Sequence, residues 1–290
     1  MAVAYEKYHG TGNDFLVCEA GEEVENWGAF AAGHCDRETG LAVGDRRGAD
    51  GVLVLSLEGD RVRMRLYQPD GGTAAMCGNG ARCAARWAAR RLRRLDTRER
   101  PEAASGARRL ETDSLTIDTP AGERRARVGA ETIEIEMGIP SFAPPDVPLA
   151  HEEPLIREEI EGWEVTAVNT GVPHAVVFVD DVSTTDLDAM APPIRHSDRF
   201  PEGANVNLAS ERDGGFAQRT FERGVEGETR SCGTGAVAIA AVARRLGLVE
   251  DERVRVSPPG GELLVEVPDQ GPTTLSGPVE FEGAGEVPAP

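Results

Sequence analysis

Two cysteines at the start of matching glycine-containing motifs are the residues of this chain best suited to chemistry. One lies in Met76-Cys77-Gly78-Asn79-Gly80-Ala81-Arg82-Cys83, the other in Ser231-Cys232-Gly233-Thr234-Gly235-Ala236. The glycines permit a tight turn and an alanine-rich helix pattern follows, so the unpaired N–H groups of the first helical turn can face an anion. The positive end of the helix dipole stabilises a thiolate there. We expect the pKa of both thiols to fall, which makes them usable as bases near neutral pH.

A pair of such thiols suits the inversion of a carbon acid. A thiolate removes the α-proton, the opposite thiol returns a different proton to the other face, and the protonation states swap in the reverse direction. The helix N-termini would hold the substrate carboxylate and stabilise the developing negative charge. Pyridoxal phosphate, the usual alternative, needs a Schiff-base lysine, and the only lysine is Lys7, in a strand pattern with no phosphate loop. The sequence therefore favours a mechanism without a cofactor.

The motifs recur at a fixed spacing, which indicates a duplicated unit. Cys77 and Cys232 lie 155 residues apart, and Gly48-Ala49-Asp50 precedes Gly203-Ala204-Asn205 by the same interval. A chain of 290 residues also fits two domains of roughly 150 residues each. We predict two similar domains that face each other across a cleft, with one cysteine from each.

The remaining cysteines indicate packing. With Cys18, Cys35 and Cys83 the chain has 5 cysteines at irregular spacing, which is not a disulfide framework. Cys83 falls on a different helix face from Cys77 and is expected in the core, as is Cys35. No Cys-x-x-Cys pair exists and the interval from Cys77 to Cys83 is too long for a zinc half-site, so no metal is expected.

The charge balance restricts the partners. There are 50 acidic and 31 basic residues, for a formal net charge of −19. Nucleic acids and anionic membranes need a basic face, so both are unexpected partners. An acid-rich, lysine-poor surface favours a halophilic protein, with GC-rich codon usage as the alternative explanation. The N-terminus resembles no signal peptide and no apolar run could span a bilayer, which predicts a soluble, cytoplasmic protein.

The local patterns predict a mixed α/β chain. Helices are expected at 26–38, from 77 to about 94, at 186–195 and from 232 to 247. Strands are expected at 3–20 (two, joined by a turn at 9–15), 51–57, 61–68, 115–118, 123–128, 132–137, 165–169, 175–179, 204–209, 215–221, 254–256, 262–267 and 279–281. The charged segment 95–109 is predicted to be a mobile surface insertion. The predicted domains are 1–139 and 140–274, with a strand near 275–282 that returns to the first and a disordered tail at 283–290.

Five motifs together resemble the diaminopimelate epimerase family, and the match runs from the first strand to Gly277-Pro278. They are His9-Gly-Thr-Gly-Asn13-Asp14-Phe15, Cys77-Gly-Asn-Gly-Ala-Arg-Cys83, Thr170-Gly-Val-Pro-His174, Phe221-Glu-Arg-Gly224 and Gly227-Glu-Thr-Arg-Ser-Cys232-Gly-Thr-Gly235. The resemblance implies two pseudo-symmetric α/β (α+β) domains, each a mainly antiparallel, barrel-like sheet around a central helix. It also implies an isomerase that interconverts LL- and meso-2,6-diaminopimelate in lysine biosynthesis without a cofactor.

The resemblance also assigns roles to residues. Cys77 and Cys232 would be the acid/base pair, with protonation tuned by His174 and Glu222. The reacting carboxylate would be bound by the backbone N–H groups of Gly78, Asn79, Gly233 and Thr234. Asn13 would help to hold the same end of the substrate. The distal amino-acid end would be gripped by Asn205, Glu222 and Arg223. The departures from the family pattern are Gln68, where Asn is usual, Val172, where Asn often stands, and Gly51, where some members have Gln. Gln68 keeps an amide and is retained as a binding residue.

Two other interpretations remain open. A proline or hydroxyproline racemase uses the same two-thiol logic, but such proteins resemble Cys-Gly-His-Gly in the first motif, where this chain has Asn79. The charged pair Glu222-Arg223 also suits a substrate with a second charged end. The other interpretation is a thiol redox switch in which Cys77 and Cys232 form a disulfide. The expected partner is a small-molecule amino acid, with a homodimer left open.

Overall fold

The protein divides into two compact units. The computed structural model describes residues 2–21, 24–99 and 114–288 of the chain. Unit 1 is formed by 1–135 together with 277–290, and unit 2 by 136–276. The chain thus passes from one unit to the other after residues 135 and 276, where the sequence suggested 139 and 274.

The chain is built mainly of strands, with few helices. Its described helices are α1 (Trp27–His34), α2 (Gly78–Glu99), α3 (Leu187–Arg195) and α4 (Gly233–Arg245). Its described strands are β1 (Ala2–Gly10), β2 (Asn13–Glu19), β3 (Ala42–Val43), β4 (Arg46–Arg47), β5 (Val52–Glu58), β6 (Arg61–Tyr67), β7 (Thr73–Ala74), β8 (Ser114–Thr119), β9 (Gly122–Val128), β10 (Thr132–Gly138), β11 (Glu158–Ile160), β12 (Trp163–Asn169), β13 (Pro173–Phe178), β14 (Asn205–Arg212), β15 (Gly215–Glu222), β16 (Gly227–Thr229), β17 (Arg253–Ser257), β18 (Leu263–Glu266), β19 (Thr273–Pro278) and β20 (Glu280–Pro288). Within the described ranges, no helix has the length and apolar character that crossing a membrane requires.

Unit 1 is a largely antiparallel sheet in which β6 and β8 alternate between a buried and an exposed face, while β2 and β5 are buried along most of their length. β1 and β2 form a hairpin, closed by Thr11 and Gly12, which both have positive φ. β2 pairs parallel with β5, β5 antiparallel with β6, and β6 parallel with β8. β6 shows the predicted alternation, with Val62, Met64 and Leu66 buried between more exposed arginines.

Unit 2 repeats that order of elements. β13 pairs parallel with β14, β14 pairs antiparallel with β15, and α4 follows, as α2 follows β5 and β6 in unit 1. β15 then pairs parallel with β17, and β17 to β19 continue as an antiparallel meander. Its core includes Leu155, Val177, Ile194 and Leu208. The predicted fold class, two α/β repeats with mainly antiparallel sheets, is confirmed.

The two long cysteine-motif helices lie inside their units. α4 is buried at every residue from Gly233 to Ala243 except Thr234. The first turns of α2 are also buried, through Cys83 and Trp87 among others, and burial raises the pKa of the Cys83 thiol. α4 is apolar on nearly all sides and so belongs in a core, whereas α2 is amphipathic and buries the face that carries its alanines, Cys83 and Trp87. Cys83 therefore has the packing role that the sequence predicts.

Two helix boundaries differ from the prediction. α1 starts after Asn26, whose side chain accepts a hydrogen bond from the Ala29 N–H at 3.0 Å. It ends at His34 and not at 38, because the Asp36 carboxylate accepts from the N–H of Thr39 at 2.6 Å and forms a turn. α2 continues to Glu99, beyond the predicted 94, since the sequence holds no helix breaker before Pro101. The rest of the predicted mobile insertion, 100–109, lies outside the described residues.

The prediction of a disordered tail is wrong for residues 283–288. They belong to β20, which pairs antiparallel with β1 from Ala2 opposite Pro288 to His9 opposite Glu280. Val287 is buried in the core of unit 1. The tail carries only one large apolar residue, too few for a strand pattern, and its order comes from the open edge of β1. The single strand predicted near 275–282 spans the end of β19 and the start of β20, which are two separate strands.

Candidate active site

Cys77 lies at the N-terminal end of α2, as the motif predicts. Its carbonyl accepts the first helical hydrogen bond from the Ala81 N–H at 2.8 Å, and its Sγ accepts from the Gly80 N–H at 3.4 Å. The side chain is half-buried. The thiol thus receives a backbone N–H at a helix N-terminus, where negative charge on sulfur is stabilised. The backbone of Gly78 opens the helix directly after it.

Asn13 and Asn79, both predicted site residues, meet next to this thiol. The Asn13 Oδ1 lies 3.8 Å from Cys77 Sγ and accepts a hydrogen bond from Asn79 Nδ2 at 3.1 Å. The other end of each amide is fixed by a charged group. Asn13 Nδ2 donates to Asp50 at 2.7 Å, and Asn79 Oδ1 accepts from the buried Arg82 at 2.7 Å. Both amide orientations are therefore determined by the protein.

Asp50 belongs to an ion cluster that the sequence did not reveal. Arg37 pairs with both Asp50 and Asp14, and the fully buried Lys7 pairs with Asp14 at 3.0 Å. Burial raises the pKa of Asp14, but Arg37 and Lys7 outweigh that effect and hold the pKa to about 2. The cluster keeps Asp14 ionised and gives Asp50, against which Asn13 rests, a fixed place.

Cys232 occupies the corresponding place at the start of α4. Its backbone is extended, it immediately precedes Gly233, and its carbonyl accepts from the Ala236 N–H at 3.0 Å. Cys232 Sγ lies 3.4 Å from the hydroxyl of Thr234. The Thr170 hydroxyl donates to the Thr234 carbonyl at 2.9 Å and ties the turn before β13 to this helix. Cys232 is buried, whereas Cys77 is half-buried.

His174, on β13, is fully buried and neutral. Asn207 Nδ2 lies 2.9 Å from His174 Nδ1. Burial lowers the pKa of His174 to about 3, the positive charge of Arg223 acts in the same direction, and the hydrogen bond from Asn207 opposes them only in part. At neutral pH the imidazole therefore carries no charge.

The residues predicted to grip the distal end lie around the turn after β15. Asn205 Oδ1 accepts from the backbone N–H of Arg223 at 2.8 Å, and the Arg223 side chain donates to the carbonyl of Glu202 at 3.1 Å. Glu222 Oε1 accepts from the Thr229 hydroxyl at 2.5 Å. Asn205 is buried and Glu222 and Arg223 are half-buried. The three are therefore brought together, and Arg223 keeps guanidinium donors suited to a carboxylate.

The three positions that depart from the family pattern differ in their surroundings. Gln68 is half-buried in a turn in which its N–H donates to the Gly72 carbonyl at 2.8 Å. Val172 is half-buried in the turn that precedes His174. At Gly51 a Cβ atom would lie 2.8 Å from both Leu66 Cδ1 and the carbonyl of Tyr67. A glutamine at 51 would therefore require that neighbourhood to shift.

The sequence missed the polar side chains that support the site. Gln218, Thr220 and Asn207 are buried and hydrogen-bonded to one another on β14 and β15, next to the start of α4. A signal was present, because polar residues two positions apart within apolar strands share the buried face. No cluster of three or more His, Cys, Asp or Glu side chains suited to a metal occurs in the part of the chain that the structure describes.

Each unit contributes one half-site, formed around Cys77 at the start of α2 or around Cys232 at the start of α4. The fold and these half-sites define a class of protein with two α/β repeats, each carrying a cysteine at a helix N-terminus. The solved structure of a predicted epimerase from Pseudomonas aeruginosa shares the fold, with a TM-score of 0.66 and 15% identity over 98% of this chain and 99% of that chain. The family model described as diaminopimelate epimerase matches residues 5–143 and 166–282. A diaminopimelate epimerase of Methanocella arvoryzae is 40% identical over 98% of this chain and 96% of its own length. One of Methanothrix thermoacetophila is 44% identical over 90% and 88%.

This chain belongs to the diaminopimelate epimerase family, whose members are isomerases that act on amino acids.

Proposed function

We propose that this protein interconverts LL- and meso-2,6-diaminopimelate in lysine biosynthesis, with Cys77 and Cys232 as the two acid/base groups. The observation that carries the proposal is the presence, in a member of this family, of a cysteine at the N-terminus of the central helix of each unit. One thiolate removes the α-proton as the other thiol delivers a proton to the same carbon, so a single inversion leaves the protein with the two protonation states exchanged.

The binding roles follow from the chemistry of the side chains. The N–H groups at the start of α2 and α4 are donors for the reacting carboxylate, whose negative charge grows as the proton leaves. In our proposal these donors are supplied by Gly78, Asn79, Gly233 and Thr234. Asn13 orients the reacting end, with Gln68 as a further polar contact, and His174 and Glu222 adjust the protonation of the thiols.

The distal amino-acid end is the basis of substrate choice. Arg223 can hold a carboxylate through two N–H groups, and Glu222 can pair with an ammonium group, with Asn205 fixing the turn that carries both. Proline and hydroxyproline have no second amino-acid end to use these groups. The pair therefore favours diaminopimelate over the substrates of a two-thiol proline racemase.

The decisive experiment is proton NMR of LL-diaminopimelate in D2O with the reduced protein. We expect the α-proton signal to disappear and the meso isomer to accumulate. Cys77→Ala and Cys232→Ala should each abolish interconversion, since either change removes one of the two groups that exchange protons. Cys83→Ala is the matched control, because that thiol is buried in the core and should leave the reaction intact.

The possible outcomes separate the interpretations. Loss of the proline α-proton with inert diaminopimelate would move the assignment to a proline-type racemase. If both compounds are inert with fully reduced, folded protein at low and high salt, the isomerase proposal is wrong. Full activity in Cys77→Ala or Cys232→Ala would refute the two-thiol mechanism and leave the substrate assignment intact.

A further inference from the structure

A series of buried hydrogen bonds runs from the backbone next to the Cys232 thiol to the ring of His174. Its first member is Gln218, whose Nε2 lies 3.1 Å from the carbonyl oxygen of Cys232. A backbone carbonyl can only accept, so this end of the Gln218 amide must be the NH2 group. The same nitrogen donates to Thr220 Oγ1 at 2.9 Å. The hydroxyl proton of Thr220 is thereby left to donate further along the series.

The second half of the series is fixed in the same way. Thr220 Oγ1 donates to Asn207 Oδ1 at 3.0 Å. Asn207 Nδ2 lies 3.4 Å from the carbonyl of Ala175 and 3.5 Å from that of Asn205, two groups that can only accept. Two independent constraints therefore turn the NH2 group of Asn207 toward His174 Nδ1, 2.9 Å away. Because Asn207 donates, Nδ1 must accept, and a neutral imidazole then carries its proton on Nε2.

We propose that Asn207, supported by Thr220 and Gln218, is a positioning residue that fixes His174 as the neutral Nε2–H tautomer. His174 then acts as a hydrogen-bond donor through Nε2 and does not take up the α-proton itself. What the donor serves, a thiolate or a substrate oxygen, rests on the proposed function, whereas the tautomer does not.

The state of Nε2 fits this role. Among the described residues, His174 Nε2 is a buried nitrogen for which no hydrogen-bond partner is found, although the side chain is 0% exposed. An unsatisfied buried N–H destabilises the folded protein, and a ligand or reacting group that accepts its hydrogen bond removes that cost. Burial and Arg223, which both lower the pKa of His174, keep the ring from gaining a second proton at neutral pH.

Gly235 joins the series to the helix that carries the thiol. A Cβ atom at this position would lie 2.3 Å from Asn207 Oδ1 and 2.7 Å from Gln218 Nε2. The first turn of α4 therefore packs directly on the two amides, which only glycine permits. In unit 2, the second glycine of the Cys-Gly-x-Gly motif is thus needed because it leaves room for the residues that orient His174.

The test is the tautomer itself, observed by long-range proton–nitrogen NMR of protein labelled with 15N-histidine at neutral pH. His174→Gln identifies the signals among the 5 histidines of the chain. We expect a pyridine-like Nδ1 and a pyrrole-like, protonated Nε2 at His174. Asn207→Asp replaces the donor with a carboxylate that only accepts, so the proton should move to Nδ1. Asn207→Leu removes the hydrogen bond without reversing it and should give a mixture of tautomers.

The kinetic arm compares the same variants with diaminopimelate as substrate. Asn207→Asp should lower kcat about 10- to 100-fold, by comparison with the loss of partners that orient metal-bound histidines, with KM changed much less. A wild-type spectrum with the proton on Nδ1 would overturn the inference, whatever the variants do. A reversed tautomer with unchanged kcat would overturn the donor role. Inert wild-type protein with an Nε2–H ring would refute the proposed function and support the tautomer assignment.

Discussion

At the scale of single residues, the glycines of the two motifs do different work. At Gly80 a Cβ atom would lie 3.3 Å from Leu53 Cδ2 and 3.5 Å from Cys77 Cβ, a tight apolar contact. At Gly235 it would collide with two buried amides. At the same position of the two repeats, glycine therefore relieves a tight apolar contact in unit 1 and avoids a collision with a polar network in unit 2.

The first prediction concerns Gly235→Ala. Alanine gains about 1 kcal/mol in helix propensity over glycine, but overpacking a filled site costs about 1–3 kcal/mol, so we expect the free energy of unfolding to fall. Isomerase activity should fall more steeply, because the displaced amides orient His174. Chemical denaturation and initial rates on one preparation measure both. Gly33→Ala, in α1 with open space around its Cβ position, is the control and should raise stability.

At this scale, the role of a residue could be predicted from the sequence only where it depends on residues nearby in the chain. The cysteines, the glycines after them and their place at helix N-termini were predictable, because a turn and a helix start are encoded within a few residues. The contacts of Asn207 with His174 and Thr220 were not, because they depend on the parallel register of β13 with β14 and the antiparallel register of β14 with β15. Asp50 needed the same kind of long-range information to reach Asn13.

At the scale of elements, the pairing of β20 with β1 completes unit 1. Besides the ladder, β20 brings Glu282 to within 3.2 Å of the buried ammonium of Lys7, and Phe281 under the guanidinium of Arg90 at 4.2 Å. Lys7 thus has two carboxylates, Asp14 and Glu282, which offset the cost of removing its charge from water. The last strand of the chain contributes to both the sheet and the ion cluster behind Asn13.

The second prediction tests the packing of β20 by substituting two neighbouring residues, one whose side chain is buried and one whose side chain is exposed. Val287 is 7% exposed in the core of unit 1, so Val287→Asp loses that burial and places a carboxylate among apolar side chains. We expect a loss of at least about 2 kcal/mol. Glu286 points outward, and Glu286→Gln should leave the unfolding midpoint unchanged. Equal midpoints for both variants, measured by thermal unfolding, would mean that the tail does not pack.

Element prediction from sequence succeeded where the pattern was strong and failed at the margins. The alternation of β6 and the apolar β13 were unmistakable, and α4 ends where Gly247 adopts a positive φ of 70°. For β20 the sequence indicated only its start, at 279–281, because the remainder has small residues between acids and a single large apolar side chain, Val287. An edge strand of this kind is ordered by its partner, which a local pattern cannot show.

At the scale of the whole molecule, the dominant property is charge. The formal net charge is −19 on 290 residues, so the acidic side chains repel one another, and dissolved salt screens this repulsion. The Debye length falls from about 10 Å at 0.1 M salt to about 3 Å at 1 M. Much of the acidic excess lies at exposed positions such as Glu131, Glu159, Glu211 and Glu250. We propose that the protein is adapted to work at high salt.

The third prediction is that the melting temperature rises between 0.1 and 1 M KCl and then levels off, as screening becomes complete. Changing Glu131, Glu159, Glu211 and Glu250 to Gln reduces the magnitude of the negative net charge, from −19 to −15. This variant should be more stable than the wild type at low salt and respond less to KCl. A melting temperature that climbs without limit, and more with sulfate than with chloride at equal ionic strength, would instead indicate a general salting-out effect.

The adjacency of Ala2 and Pro288 in the β1–β20 ladder also determines the order in which the chain can mature during synthesis. Unit 2 is one continuous stretch of the chain, 136–276, whereas unit 1 combines two stretches on either side of it. Unit 1 can be completed only after unit 2 has been synthesised, because β20 follows unit 2 in the chain. At about 5–20 residues per second, β1 waits roughly 15 to 60 s for its partner with one edge open. During that interval the unpaired edge of β1 is exposed to aggregation.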